Sequence, residues 1–138
     1  MKKTIVTPMT ILMISPFAER LHMGLMAAAT AAAMGRRVTV FFSKGGVGAI
    51  RQGGWQSLKS SEGTPAPVMD AEQVEKGIGD YSVLIDALAA MDVRFIACET
   101  ALREQGLTVS DLISRPCVDI GGLAQLLEAG SGGDWLTF

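Results

Sequence analysis

The chain is poor in the residue types from which most metal and catalytic sites are built. Its 138 residues include 2 Cys, 1 His and 1 Tyr. A structural zinc site takes about four Cys or His ligands, and two thiols allow at most one disulfide. Neither a metal cage nor a disulfide scaffold is therefore expected to hold this fold. Charge is equally sparse. Asp, Glu, Lys and Arg make up 19% of the chain, and 12 basic residues face 14 acidic ones for a net charge of -2. That balance creates no basic field for a nucleic acid, so nucleic acid is excluded as a partner. Aromatic residues account for only 6%.

Long apolar runs are missing as well. A spanning helix needs about 20 apolar residues, and the Ala-rich stretch 23–35 is too short. Met1, Lys2 and Lys3 followed by the apolar stretch 4–14 resemble the start of a secretory leader. Glu19, Arg20 and His22 interrupt that pattern before the small residues of a cleavage site. The reading is a cytoplasmic protein without a membrane span.

What the chain does have is apolar bulk, with 49% hydrophobic residues, 8 Met among them. This excludes a disordered tail. A domain of this size buries roughly two-thirds of its unfolded surface, and the surplus of Ala, Met and Leu points to subunit contacts.

Short continuous apolar runs alternate with helix-period segments. Residues 11–14 read as a strand covered on both faces, and Pro16 marks its exit. Residues 17–34 form an Ala-rich helix ended by Gly35, with Arg36 and Arg37 as charges at its negative end. Residues 38–42 are a second strand. Gly45 opens a short helix that stops at Gly53 and Gly54. Residues 60–67 have loop composition, a helical piece covers about 71–76, and Asp80 caps the next helix. Residues 93–97 are a third strand with Cys98 at its carboxyl end. A helix over 99–105 stops at Gly106, and 110–113 form a capped turn. A strand near 117–120, a helix from Leu123 to Gly130 and an edge strand at 135–138 complete the chain. The fold class is α/β: one domain over 1–138, with a doubly wound, mostly parallel sheet of about five strands and helices on both faces. Residues 52–75 are expected to hold a mobile loop.

Two constellations compete for chemistry. The stretch 43–50 (SKGGVGAI) is a Gly-rich turn after a strand and is similar to a phosphate loop. A phosphate loop needs Lys and Ser or Thr at its end to reach phosphate and magnesium, and Ala49 and Ile50 stand there instead. A plain strand-to-helix turn is the better reading, with room only for a weak anion site on backbone amides. The second constellation is Cys98. Ligands in an open parallel sheet bind outside the carboxyl ends of strands. A helix start there favours a thiolate, while the adjacent Glu99 opposes it. Set against this is the ordinary role of free Cys as a small buried space-filler. Cys117 has weaker credentials, and a packed small residue is its simpler role. Should both thiols open onto one sheet edge, Cys117 would serve as a resolving thiol for Cys98. His22 reads as a solvated helix-face residue rather than a proton donor.

Four segments in order carry a resemblance. They are 33–42 (AMGRRVTVFF), 93–98 (VRFIAC), 107–113 (LTVSDLI) and 119–127 (DIGGLAQLL). The first is similar to a helix–Gly–strand passage, the second to a strand bearing a sulfur-carrying Cys, and the last to a strand-to-helix turn of the DsrE/DsrF-like family of sulfur-relay proteins, with its YchN-like fold. The resemblance spans nearly the whole chain outside about 52–75. It implies a homotrimer or homohexamer that carries sulfane sulfur as a persulfide on Cys98. The sulfur would pass to and from other carriers such as TusA-like proteins, without metal or organic cofactor. The rival expectation is a non-catalytic oligomeric binding or regulatory module with the same fold. A nucleotide-binding protein using residues 45–48 ranks third.

Overall fold

The computed structural model describes residues 7–138. Met1, Lys2 and Lys3, weighed above as the start of a leader, lie outside the described residues. Five strands, β1 (Met9–Met13), β2 (Val38–Phe42), β3 (Arg94–Cys98), β4 (Val118–Gly121) and β5 (Asp134–Thr137), form one sheet in the order β4-β3-β2-β1-β5. Every neighbouring pair is parallel. Parallel neighbours cannot be joined by tight turns, so each connection carries a helix. These are α1 (Ala18–Ala33), α2 (Ala66–Glu75), α3 (Tyr81–Ala90), α4 (Glu99–Gln105) and α5 (Leu123–Ala129).

The register fixes which side chains share a face. Ile11, Val40, Phe95 and Val118 line up across four strands. Ile11, Val40 and Phe95 are fully buried, each stabilising the fold by about 1.5–3 kcal/mol. This face packs on α1, where Gly24 lies so close to Met13 that a Cβ would fall 2.3 Å from its sulfur. The helix α3 packs beside α1. On the opposite face the short α5 buries Leu126 and brings Gly130 against Thr10. No helix among the described residues is long and apolar enough to cross a membrane.

Local signals fall where the residues dictate. Gly35 (φ 86°) and Gly106 (φ 66°) take the left-handed conformation after α1 and α4. The Asp80 carboxylate accepts from the Val83 amide at 3.0 Å, capping α3. The helical piece expected over 71–76 instead starts at Ala66, because Pro67 sits in the first turn, where its missing N–H costs nothing. Two side chains depart from the sequence reading. His22 is buried, not solvated, and its Nε2 lies 2.8 Å from the Gly79 carbonyl, tying α1 to the approach to α3. Arg36 does more than compensate a helix end. Its Nε donates to the Thr7 carbonyl at 2.8 Å and it pairs with Asp134, joining the starts of β1 and β5.

The segment 52–75 folds back on the domain through Trp55. This side chain is buried, donates from Nε1 to Asp70 at 2.8 Å and stacks on Tyr81 with ring centroids 4.5 Å apart. The Tyr81 hydroxyl donates to the Ala49 carbonyl at 2.5 Å. At the surface beside α1, the Glu19 carboxylate accepts from the Ser61 amide at 3.0 Å. Partial desolvation raises the pKa of this carboxyl, but the Ser61 hydrogen bonds outweigh it and hold the group below its usual range.

Burial first, and the Asp70 carboxylate second, push the Tyr81 hydroxyl up from 10.0 to about 12. Because the folded state holds the phenol proton more tightly, the stabilisation from this group is complete below pH 10. It is lost as pH rises from 10 towards about 12. Tyr81 is the single tyrosine, so phenolate absorbance reports it alone. Native protein should titrate near 12 and urea-unfolded protein near 10, while a native midpoint near 10 would show that the hydroxyl is not buried beside Asp70.

Candidate functional site at the carboxyl edge of the sheet

Cys98 is the last residue of β3 and the N-cap of α4, in register with Gly121, the last residue of β4. Gly121 presents no side chain beside it. Cys98 is a free thiol, and the residue is 7% exposed in the isolated chain. As N-cap it precedes the first-turn amides of α4, which have no carbonyl partner within the helix, and its side chain makes no capping hydrogen bond with them. Glu99, which sequence reasoning set against a thiolate, is held by Arg103 one turn on, Nη2 to Oε1 2.8 Å.

Residues 43–49 brace α4 from the other side. Lys44 (φ 49°) places Nζ 3.1 and 3.0 Å from the two Glu104 carboxylate oxygens. Gln105 Nε2 donates to the Lys44 carbonyl at 2.9 Å. The glycines here serve close packing. A Cβ on Gly46 would fall 1.9 Å from the Met13 carbonyl oxygen, and one on Gly45 would fall 2.6 Å from the Pro16 nitrogen. The Ser43 amide donates to Met13 and the Gly46 amide to Ser43. Those two amides are thus spent on the fold, and with the close packing of Gly45 and Gly46 this supports the strand-to-helix-turn reading.

Cys117 lies elsewhere. It immediately precedes β4, is exposed, and sits four residues ahead of Gly121, the partner of Cys98. At ~3.3 Å per residue the two Cα atoms are roughly 13 Å apart along the strands, beyond the ~7 Å limit for a disulfide. Within one chain the two thiols occupy opposite edges of the sheet, so the resolving role weighed for Cys117 has no geometric basis there. Nor is Cys117 the packed residue of its simpler reading. His22 is not brought to Cys98 either, since its ring is engaged with Gly79.

Sequence reasoning missed a cleft of about 330 Å³ at the same carboxyl edge, lined by Ile14, Ser15, Phe17, Arg20, Thr137 and Phe138. It lies where β5 returns to pair with β1, the switch point of the sheet. Two strand spacings, ~10 Å, separate β1 from β3. Pro16 was a visible signal for the β1 exit, but nothing local announces that β5 crosses the sheet to meet it. Around the end of β4, Ile120, Leu123 and Leu127 add exposed apolar surface.

These features define a parallel α/β protein with a lone thiol where a strand hands over to a helix. The chain belongs to the DsrE/DsrF-like family, whose sequence profile matches residues 9–138, and the family is in general related to sulfur relay. Two solved structures share the fold. The ychN protein from E. coli is 20% identical, with a TM-score of 0.62 over 96% of this chain and 100% of that one. A protein of unknown function from Methanobacterium thermoautotrophicum is 18% identical, with a TM-score of 0.58 over 95% of this chain and 99% of that one. A search of the curated proteins finds no match.

Because the glycine loop is packed rather than open, Gly46→Ala should destabilise the protein by about 2–4 kcal/mol in urea unfolding. ATP with magnesium should leave the melting temperature of the unaltered protein unchanged. A clear rise in that temperature with the nucleotide would restore the phosphate-loop reading.

Proposed function

We propose that the protein is a sulfur carrier that holds sulfane sulfur as a persulfide on Cys98 and passes it to a partner thiol. The observation that carries this reading is the position of Cys98, at the carboxyl end of β3 and the N-cap of α4, in a chain of the DsrE/DsrF-like family. The Cys98 thiolate attacks the outer sulfur of a donor persulfide. A Cys98 S–S bond forms as the donor S–S bond breaks, and the donor leaves as a thiolate. An acceptor thiolate then attacks the same outer sulfur and releases Cys98. Neither exchange consumes an oxidant or reductant, so the cycle calls for no metal or organic cofactor. The exposed Ile120, Leu123 and Leu127 around the end of β4 suit docking of a second small carrier of the TusA-like kind. Cytoplasmic residence belongs to the same reading, since a reducing compartment keeps both thiols free.

One observation favours the second reading, a non-catalytic binding or regulatory module. Cys98 is only 7% exposed, which suits an inert packed thiol. Intact-mass measurement after incubation with polysulfide separates the two. Unaltered protein and Cys117→Ser should each gain one sulfur, reversed by a thiol reductant, and Cys98→Ser should gain none. No gain in unaltered protein, or an undiminished gain in Cys98→Ser, contradicts the carrier.

Assembly as a homotrimer or homohexamer is part of the proposal. The outer face of α1 supports it, with a groove of about 300 Å³ lined by Met9, Met23, Met26, Ala27 and Met34. Met23 and Met34 are half exposed in the isolated chain, and flexible thioethers pack readily against a second copy. Light scattering should give three or six chain masses for the unaltered protein and a monomer for Met23→Glu with Met34→Glu. A monomeric unaltered protein would remove assembly from the account.

A further inference from the structure

The register that sets Cys98 beside Gly121 also aligns a polar row at the opposite edge of the sheet. Trp135, Thr10, Thr39 and Arg94 are successive partners across β5, β1, β2 and β3, on the face covered by α5. Three of them, Thr10, Thr39 and Arg94, line a cleft of about 440 Å³, within the usual range of small-molecule sites. Leu126, Ala129 and Gly130 of α5 and its end form the apolar wall. Trp135 pins that wall to the sheet by donating from Nε1 to the Gly130 carbonyl at 3.1 Å.

Thr10 is the unusual member. It is 4% exposed, yet among the described residues its hydroxyl has no hydrogen-bond partner. No fully enclosed side-chain polar atom is left unpaired, so the Thr10 oxygen is not fully enclosed, and the residue lines the cleft. A Cβ on Gly130 would fall 2.2 Å from the Trp135 ring and 2.9 Å from that oxygen, so the end of α5 lies against the hydroxyl and a side chain there would close over it. A nearly buried hydroxyl without a protein partner is free to donate to a ligand that accepts its hydrogen bond. Thr39, its partner one strand away, lines the same cleft. Arg94 spends Nε on Asp119 at 3.3 Å, leaving its Nη donors free. Arg37, also in the lining, has no ion-pair partner among the described residues, whereas Arg36 is consumed by Thr7, Pro8 and Asp134.

We propose that this cleft binds a small monocarboxylate with a short aliphatic tail. The carboxylate would accept from the Thr10 and Thr39 hydroxyls and face the Arg94 and Arg37 guanidiniums, with its tail along Leu126 and Ala129. Asp92, the one carboxylate in the lining, weighs against a multiply charged anion. The apolar wall gives a bare inorganic anion nothing to bury. The site lies at the amino edge of the strands, away from Cys98, and does not depend on sulfur transfer.

Thermal melting of the full chain with hexanoate, 1-hexanol or inorganic phosphate, at matched ionic strength, tests the proposal. Hexanoate should raise the melting temperature in a saturable way, and the other two should not. Thr10→Val and Thr39→Val keep shape and strand preference, and each should weaken hexanoate roughly tenfold or more. Circular dichroism confirms that the variants fold, and the half-buried Thr39 decides the matter if the Thr10 variant does not. No response to hexanoate, an equal response to hexanol or phosphate, or undiminished binding in the folded variants would each overturn it.

Discussion

The in-register parallel pairing of β1, β2 and β3 is the constraint on which the rest of the molecule depends. Once Ile11, Val40 and Phe95 are aligned and buried, every other row across the sheet is set. Shifting a strand by one residue would turn its core side chains to the other face. One row carries Cys98 and Gly121 to the carboxyl edge, and another carries Thr10, Thr39 and Arg94 to the amino edge. The glycines at 45 and 46 secure the same register from outside, letting the chain after β2 lie directly on the exit of β1.

Much of this was legible in the residues. Continuous β-branched and aromatic runs such as 38–42 have no competing helical period, and β2 occupies those residues. Gly35, Asp80 and Gly106 are local signals whose chemistry acts within one turn, so they mark helix ends correctly. Cys98 could be placed at a strand end because Val93 to Ala97 is a strand run and Glu99 to Gln105 is a helix run. The misreadings share a different cause. His22 looked solvated because its partner, the Gly79 carbonyl, is distant in sequence. Arg36 looked like a helix-end charge because Asp134 is nearly the whole chain away. The offset between Cys98 and Cys117 follows from the β3–β4 register, which no local pattern encodes. The amino-edge cleft and the β1–β5 cleft exist only because β5 crosses the sheet to pair with β1.

The site combines two demands that pull against each other. A sulfur carrier needs a thiolate that a partner's persulfide can reach, while a stable strand-to-helix junction covers its residues. Cys98 is nearly covered by its own chain and sits at a helix start, with a side-chain-free Gly121 beside it and exposed apolar residues around the end of β4. In the proposed carrier, such an arrangement would favour a docked partner over free thiols in solution, since docking would desolvate the apolar surface. The methionine face of α1 remains available for contacts between copies.

The central claim is that Cys98 holds sulfur it can give away. The most direct test loads the protein with isotopically heavy sulfane sulfur, removes the donor, adds a small acceptor protein with a single reactive thiol, and follows both masses with time. The account predicts that the heavy sulfur leaves Cys98 and appears on the acceptor in equal amount, and that Cys98→Ser transfers none. A persulfide that stays on Cys98 while the acceptor remains unlabelled, or transfer that persists in Cys98→Ser, would contradict it.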